Sequence, residues 1–291
     1  MDSDLYYRAF AWNHYKYLGV LNGDILMSMP DNNDPILIRQ NGQLSDVTCF
    51  IKRDILQKYR YRGNFAEDLD LGMRLISDGY KLAFLGNEVA IHSHNRGSYY
   101  YLKRRFVELV TLKNIFPDQP ILDYRYEQVV KETIFLYYYV TKLLNEWQTG
   151  NLTYPFTVFR EEFLKHFRLI RKNNFPLDKV FESLNVYDKV DEQTRKFLQE
   201  IIKQYSKMVT LANMGYNGVM IDAMEGYLNV VFDFMSECYE VVDNEIIAEF
   251  IDCVYKILTS VSGTFFAYSY LSSEDDRNQY IDFYKLIGEG V

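Results

Sequence analysis

From Ile121 to the end of the chain, apolar residues recur at the spacing of an α-helix almost without interruption. Residues three and four positions apart lie on one face of a helix, so this pattern predicts a helical region. Turn residues separate the predicted helices at 149–151, 173–176 and 272–276. The helices are expected over 121–148, 156–172, 177–186, 191–212, 217–240, 244–258 and 262–286.

The first 116 residues mix helical and extended patterns. Helices are predicted over 5–18, 53–59, 68–77 and 98–116, and short β-rich runs at 35–38, 47–51, 81–85 and 89–92. A turn at Gly86 and Asn87 is expected to join the last two runs. Pro117 and Pro120 end the last of these helices and predict a domain boundary. We therefore expect an α+β protein that is mostly α, with domains at 1–116 and 117–291.

Aromatic residues make up 16% of the chain, with 26 Tyr, 20 Phe and 2 Trp. An excess of Tyr over Phe is typical of rings with one wet edge, as at a sugar site, a membrane surface or a protein interface. Core packing is the alternative, and it is favoured because most of the rings lie beyond Pro117. In the runs 99–101 and 137–139, three successive tyrosines cannot all face one core. Some of these rings must meet solvent, another domain or a second copy of the chain.

The charge and the cysteines exclude several classes of protein. The net charge of −8 argues against a general nucleic-acid binder, which needs a basic surface. Three scattered cysteines form no CxxC pair, as expected in a reducing compartment. The N-terminus lacks the apolar core of a secretory signal. The apolar run at 257–271 is too short to span a membrane and is expected to be a buried helix. We expect a cytoplasmic protein.

Two neighbouring carboxylates, Glu67 and Asp68, lie where a glycine-containing loop meets a predicted helix start. The partial positive charge of a helix N-terminus stabilises carboxylates there. Such a carboxylate can accept a proton from a hydroxyl group, as a general base does. The alternative is an acidic first turn with a purely structural role, continued by Asp70.

Cationic and imidazole side chains follow this helix. His92 and His94 are two positions apart in a predicted strand, so both rings could face one metal or phosphate. Arg104 and Arg105 lie in a basic helix, where one or two guanidinium groups could hold a diphosphate. The alternatives are two strand-end histidines and a solvated basic face.

The order and spacing of four segments resemble the C-terminal half of the catalytic domain in family 2 glycosyltransferases of the GT-A fold. The likeness is closest to bacterial enzymes that add sugars, often rhamnose, to surface polysaccharides. It covers about residues 45–116. The segments are Phe50-Ile-Lys-Arg-Asp54, Glu67-Asp-Leu-Asp-Leu-Gly-Met-Arg-Leu75, Ile91-His-Ser-His-Asn95 and Lys103-Arg-Arg-Phe106. The resemblance implies that residues 1–116 form a partial GT-A-type α/β half, followed by an all-helical domain.

On the acceptor side, the resemblance assigns the chemistry to the acidic pair. Asp68 matches the catalytic base, which deprotonates the acceptor hydroxyl so that it attacks the anomeric carbon with inversion. Glu67 matches an acidic residue tied to acceptor binding or loop placement. The acceptor would be a surface polysaccharide or a lipid-linked glycan at the inner face of the membrane.

On the donor side, the resemblance implies a nucleotide sugar and a divalent cation. His92 matches the histidine that completes the coordination of Mg²⁺ or Mn²⁺ or touches the diphosphate. His94, Arg104 and Arg105 match the diphosphate end, and Gly63 matches the flexible loop before the acidic pair.

The family's N-terminal half, with its nucleotide-binding βαβ units and its Asp-x-Asp metal motif, has no counterpart in the sequence. Asp2-Ser-Asp4 could be such a motif, but an N-cap at Ser3 or Asp4 is favoured because no apolar strand precedes it. We expect the isolated chain to be inactive. The helical domain would serve acceptor binding, peripheral membrane contact or homo-oligomer formation. The alternative is a non-catalytic helical interaction or scaffold protein.

Overall fold

The computed structural model describes residues 3–44, 49–63, 65–87, 95–147, 153–174, 190–208 and 218–289. Helices hold most of these residues, so the expectation of a mostly helical α+β protein is confirmed. The helices are α1 Leu5–Leu18, α2 Pro35–Asn41, α3 Arg53–Tyr59, α4 Glu67–Ser77, α5 Ser98–Ile115, α6 Tyr126–Trp147, α7 Phe156–Leu169, α8 Glu192–Tyr205, α9 Val219–Cys238, α10 Asn244–Ser272, α11 Glu274–Gln279 and α12 Ile281–Gly288. Short 3₁₀ helices occupy Val20–Asn22 and Ile170–Lys172.

Two small antiparallel sheets complete the described fold. Strand β1 (Ile25–Met27) pairs with β2 (Leu82–Phe84), and Leu26 lies opposite Ala83. Strand β3 (Tyr154–Pro155) pairs with β4 (Val241–Val242). In the sequence, β3 lies between α6 and α7, and β4 lies between α9 and α10. Strand β2 confirms the extended run predicted at 81–85. Its expected partner at 89–92 lies outside the described residues.

The strand predicted at 35–38 is wrong, because this segment is the start of α2. The Asp34 side chain accepts a hydrogen bond from the Ile36 N–H at 2.8 Å, and Pro35 occupies the first turn. An aspartate N-cap and a proline at the first helical position both favour helix formation. These local signals outweigh the β preference of the two isoleucines. The run predicted at 47–51 forms no strand over its described residues, 49–51.

The break predicted between 258 and 262 is also wrong, because α10 runs through it without interruption. The polar residues there bond back to their own helix. The Thr259 hydroxyl donates to the Tyr255 and Lys256 carbonyls, and the Ser262 hydroxyl donates to the Leu258 carbonyl at 2.8 Å. Hydroxyl groups satisfied in this way can be buried inside a helix. The expectation that 257–271 is a buried helix is confirmed.

The first residues of α1 are tied to the centre of α10. The Asp4 carboxylate caps α1 by accepting from the Tyr7 N–H at 2.8 Å, which confirms the N-cap interpretation of this residue. It also accepts from the ammonium group of Lys256, a residue only 2% exposed, at 2.8 Å. Asp252 completes this ion cluster at 2.5 Å from the same nitrogen. A buried ammonium group needs such partners, so the capping residue of α1 also satisfies a charge on α10.

The buried apolar residues fall into two clusters. The larger cluster combines the start of α1 with side chains from α5 to α10 and from α12. The smaller cluster joins the end of α1, strands β1 and β2, and α4. Helices on both sides of residue 117 therefore share one hydrophobic core. The division into domains at 1–116 and 117–291 stays a prediction.

The tyrosine runs are divided between the core and its rim. Tyr101 and Tyr137 are buried, while their neighbours in each run are partly exposed. Tyr139 donates to the Asn174 carbonyl at 2.8 Å, and the Tyr99 ring lies 6.2 Å from the ring of Phe197. In each run of three successive tyrosines, one ring is therefore buried in the core. No helix within the described ranges combines the length and apolar character needed to cross a membrane.

Helices α5 and α10 cross with their backbones in direct contact. A Cβ atom placed on Gly263 would lie 2.2 Å from the carbonyl oxygen of Leu102 and 3.0 Å from its carbonyl carbon. Leu102 is completely buried at this crossing. Only a residue without a side chain allows two helices to approach so closely.

We predict that Gly263→Ala destabilises the protein by about 1–3 kcal/mol, because the added methyl group forces two buried helix backbones apart. The matched control is Gly226→Ala in α9, where an added Cβ meets no atom within 4 Å. The free energy of unfolding of that variant should rise by about 0.5–1 kcal/mol, because alanine has a better helix propensity than glycine. Urea unfolding of both variants measures the difference, and equal stabilities would show that the crossing is looser than described.

Candidate functional site

The acidic pair predicted from the sequence begins helix α4. Glu67 is the first residue of the helix, and Ala66 before it adopts a left-handed conformation with φ of +54°. The Asp68 carboxylate accepts a hydrogen bond from the Leu69 N–H at 2.8 Å. Both carboxylates are partly exposed. They therefore lie where the helix N-terminus favours negative charge and where a ligand can reach them.

The opposite face of α4 anchors it in the smaller cluster. Leu71, Leu75 and Ile76 are buried there. Gly72 lies against the end of α2, since a Cβ at this position would lie 2.0 Å from the Gly42 carbonyl oxygen. Asp70 pairs with Arg74 one turn later at 2.8 Å. The helix that carries the acidic pair is thus fixed on its apolar side and polar at its start.

The loop before α4 contains the predicted glycine. Gly63 has a φ of +80°, a conformation that side chains rarely adopt. Its neighbour Asn64 lies outside the described residues. Glycine therefore fits the sharp turn that leads the chain into α4.

Apolar side chains are unusually exposed around this helix. Phe50 is fully exposed, Ile36 is 70% exposed and Leu26, at the centre of β1, is 59% exposed. Most of the large apolar side chains found exposed in the described ranges lie between Tyr15 and Leu85. Within the described ranges, this part of the chain therefore exposes more large apolar side chains than the helical part does.

The predicted arginines lie on α5, in contact with other helices. Arg105 donates to the Glu108 carboxylate at 2.7 Å and to the hydroxyl of Tyr227 on α9. Arg104 is exposed and donates to the Tyr100 hydroxyl at 3.3 Å. Since these partners belong to α5 and α9, the contacts of the two arginines do not connect them with the acidic pair on α4.

The charges of three arginines act on Glu108. Burial opposes its ionisation, but the charges of Arg105, Arg104 and Arg39 outweigh burial and hold the pKa of Glu108 below its ordinary value. Of the three, Arg105 is in direct contact with the Glu108 carboxylate. Sequence reasoning missed Arg39, because α2 was expected to be a strand. The other two arginines could have been found from their spacing, because Arg104 and Arg105 lie four and three positions before Glu108 on the same helix.

We predict that Glu108→Gln lowers the free energy of unfolding by about 1–2 kcal/mol at pH 7, because a hydrogen bond between charged groups is lost. The folded carboxyl has the lower pKa, so its stabilisation is present above about pH 4.5 and is lost as the pH falls through the folded value. Urea unfolding should therefore show a smaller difference from the unmodified protein at pH 3 than at pH 7.

The control is Glu162→Gln, which breaks a pair of the same spacing with Lys165 on the exposed face of α7. This variant should change stability by less than about 0.5 kcal/mol at either pH. A Glu108 variant that behaves like it would contradict the electrostatic role of Glu108.

The predicted metal ligand His92 and its neighbour His94 lie outside the described residues. Elsewhere, in the described ranges, no group of three or more His, Cys, Asp or Glu side chains is arranged to hold a metal ion. The site for Mg²⁺ or Mn²⁺ therefore stays a prediction.

A groove of about 670 Å³ lies on the helical part of the molecule, between α7 and the end of α9. Its two arginines are already paired with α9, Arg160 with Asp233 at 3.3 Å and Arg168 with Glu225 at 2.8 Å. Their charges stabilise the contact between the two helices, and the groove shares no residue with the acidic pair.

Comparison with models of known families, with curated proteins and with solved structures finds no match to the chain. The likeness to family 2 glycosyltransferases therefore rests on the motif residues of the sequence alone.

Proposed function

We propose that the chain supplies the acceptor-side part of an inverting glycosyltransferase. The enzyme would transfer a sugar from a nucleotide-sugar donor to a surface-polysaccharide or lipid-linked acceptor. The observation that supports this most is the placement of Glu67 and Asp68 in the first turn of α4, partly exposed and directly after the loop that contains Gly63. A general base needs this combination of access and a rigid support.

In the proposed reaction, the Asp68 carboxylate accepts the proton of the acceptor hydroxyl. The hydroxyl oxygen forms a bond to the anomeric carbon from the side opposite the leaving group. The bond from that carbon to the diphosphate breaks, and the nucleoside diphosphate leaves with the electron pair. Glu67, one residue earlier, would orient the acceptor or the loop.

A divalent cation would neutralise charge on the leaving diphosphate when bound. His92 would supply one nitrogen ligand. Mg²⁺ and Mn²⁺ prefer oxygen ligands, so the remaining ligands are expected from carboxylates outside these segments and from the diphosphate itself. His94 and Arg104 would bind the same diphosphate. For Arg105, this role requires displacement of Glu108 or Tyr227.

We propose further that the nucleotide-binding half lies outside the 291 residues. Support comes from the exposed apolar side chains around α4 and from the two-stranded sheet of β1 and β2, an arrangement that is barely stable by itself. A further sheet-containing segment would cover both. The proposed location is the cytoplasmic side, at the inner face of the membrane.

A non-catalytic scaffold is the second candidate. The large aromatic core of α5 to α12 and the partly exposed tyrosines at its rim favour it. In that case the acidic first turn of α4 would serve the stability of the helix alone. Copies of the chain would then associate through the helical part.

We predict that Asp68→Asn lowers the rate of sugar transfer by about 10²–10⁴-fold in the enzyme that includes the nucleotide-binding half, because the amide cannot accept the proton. Release of nucleoside diphosphate from a panel of nucleotide sugars measures the rate. The control is Glu192→Gln, an acidic residue in the first turn of α8, which should leave the rate unchanged.

Transfer at the unmodified rate by the Asp68 variant would refute the assignment of the base. The chain of 291 residues alone should release no nucleoside diphosphate above the background. Turnover by it would refute the proposal that the donor site lies elsewhere.

We predict that His92→Ala weakens Mn²⁺ binding by about 10–100-fold in the same complete enzyme, because one nitrogen ligand is removed. Isothermal titration calorimetry measures the affinity for Mn²⁺. His166→Ala on the exposed face of α7 is the control and should bind Mn²⁺ as the unmodified enzyme does. Equal affinities for all three proteins would exclude His92 as a ligand.

A further inference from the structure

Arg74 of α4 makes contacts that go beyond its ion pair with Asp70. Its Nη1 donates to the Tyr59 carbonyl at 2.8 Å, and its Nη2 donates to the Arg60 carbonyl at 2.7 Å. Its Nε donates to the Asp70 carboxylate at 2.9 Å. The side chain is only 18% exposed. One guanidinium group therefore joins a carboxylate of its own helix to two backbone carbonyls of the preceding helix.

These two carbonyls belong to the end of α3. Tyr59 is the last residue of that helix and Arg60 is its C-cap. The last carbonyls of a helix have no partner within the helix, so a cationic donor stabilises them strongly. Arg60 has a φ of +50°, a left-handed conformation that is unfavourable for a residue with a side chain. The hydrogen bond from Arg74 to the Arg60 carbonyl helps to explain why Arg60 keeps this conformation.

The consequence concerns the loop that connects the two helices. It begins at Arg60, which Arg74 holds, and ends at Ala66, whose carbonyl accepts from the Asp70 N–H at 3.0 Å. Both ends of the loop are therefore fixed to α4. A second link supports the same arrangement, because the Tyr59 hydroxyl donates to the Asp78 carboxylate at the end of α4. The two ends of the loop, at Arg60 and Ala66, cannot separate from α4 without breaking one of these contacts.

We propose that Arg74 is a positioning residue for the acidic pair. It holds the end of α3 against α4, and this fixes the loop that sets the approach to Glu67 and Asp68. Arg74 itself touches no substrate. The expected effect of Arg74 on sugar transfer rests on the proposed function. Arginine is required because its planar group reaches three acceptors at once, whereas the ammonium group of lysine is a single point of charge.

The test compares Arg74→Lys and Arg74→Gln with the unmodified protein. Arg74→Lys keeps the positive charge beside Asp70, so this variant should stay folded even where Arg74→Gln does not. Hydrogen exchange is measured at the amides of Arg60 and Asp70, which are bonded to the Leu56 and Ala66 carbonyls on either side of the loop. We expect exchange at both amides to be roughly tenfold faster in Arg74→Gln, with a smaller increase in Arg74→Lys.

The second readout is sugar transfer in the enzyme that includes the nucleotide-binding half. A misplaced base should lower kcat by roughly 10–100-fold while the KM of the donor stays unchanged, since the donor site is not disturbed. The matched controls are Arg171→Lys and Arg171→Gln, which alter an arginine paired with Asp222 and Glu225 on α9. They should change neither the exchange at Arg60 and Asp70 nor the kcat.

Unchanged exchange in both Arg74 variants would overturn the inference, because the loop would then be fixed by other contacts. Faster exchange with unchanged kcat would also overturn it, since the loop position would not matter for transfer. Failure of the proposed function has a different signature. In that case Asp68→Asn transfers sugar normally, while the exchange data still decide whether Arg74 holds the loop.

Discussion

The close crossing of α5 and α10 is the contact on which the arrangement of the described chain depends. By sequence, α5 carries the last of the four segments that resemble a glycosyltransferase, whereas α10 lies in the helical region beyond residue 117. The bare backbone of Gly263 allows the two helices to meet at Leu102, and the start of α1 packs beside them through Asp4 and Lys256. Because the smaller cluster continues from the far end of α1, the acidic helix α4 depends indirectly on this crossing for its place in the molecule.

Much of the helical structure could be predicted, because its signals are local. The periodicity of α1, α3, α4 and α5 placed each helix within a residue or two of its ends, and Asp4 was recognisable as a cap. The errors have physical causes of two kinds. In α2, a capping aspartate and a proline overruled the β preference of the following residues. In α10, hydroxyl groups that look like a break bond back to the helix and are buried within it.

The candidate site was predictable only where it is contiguous in sequence. Glu67 and Asp68 begin α4 as their spacing indicated, and Asp70 pairs with Arg74 one turn later. The contact of Arg105 with Tyr227 could not be foreseen, since Tyr227 lies 122 positions away in the chain. The same is true of the carbonyls held by Arg74, because they depend on how α3 ends. Side chains that join distant segments leave no pattern in a single sequence.

The arginines around Glu108 give the molecule an uneven electric field. The chain carries a net charge of −8, yet the charges of Arg39, Arg104 and Arg105 all act on one carboxylate. The attraction between these cations and the Glu108 carboxylate holds the carboxylate in its ionised form. Dissolved salt screens the attraction over about 8–10 Å at ordinary ionic strengths. The contribution of these arginines to the ionisation of Glu108 therefore depends on the ionic strength of the surroundings.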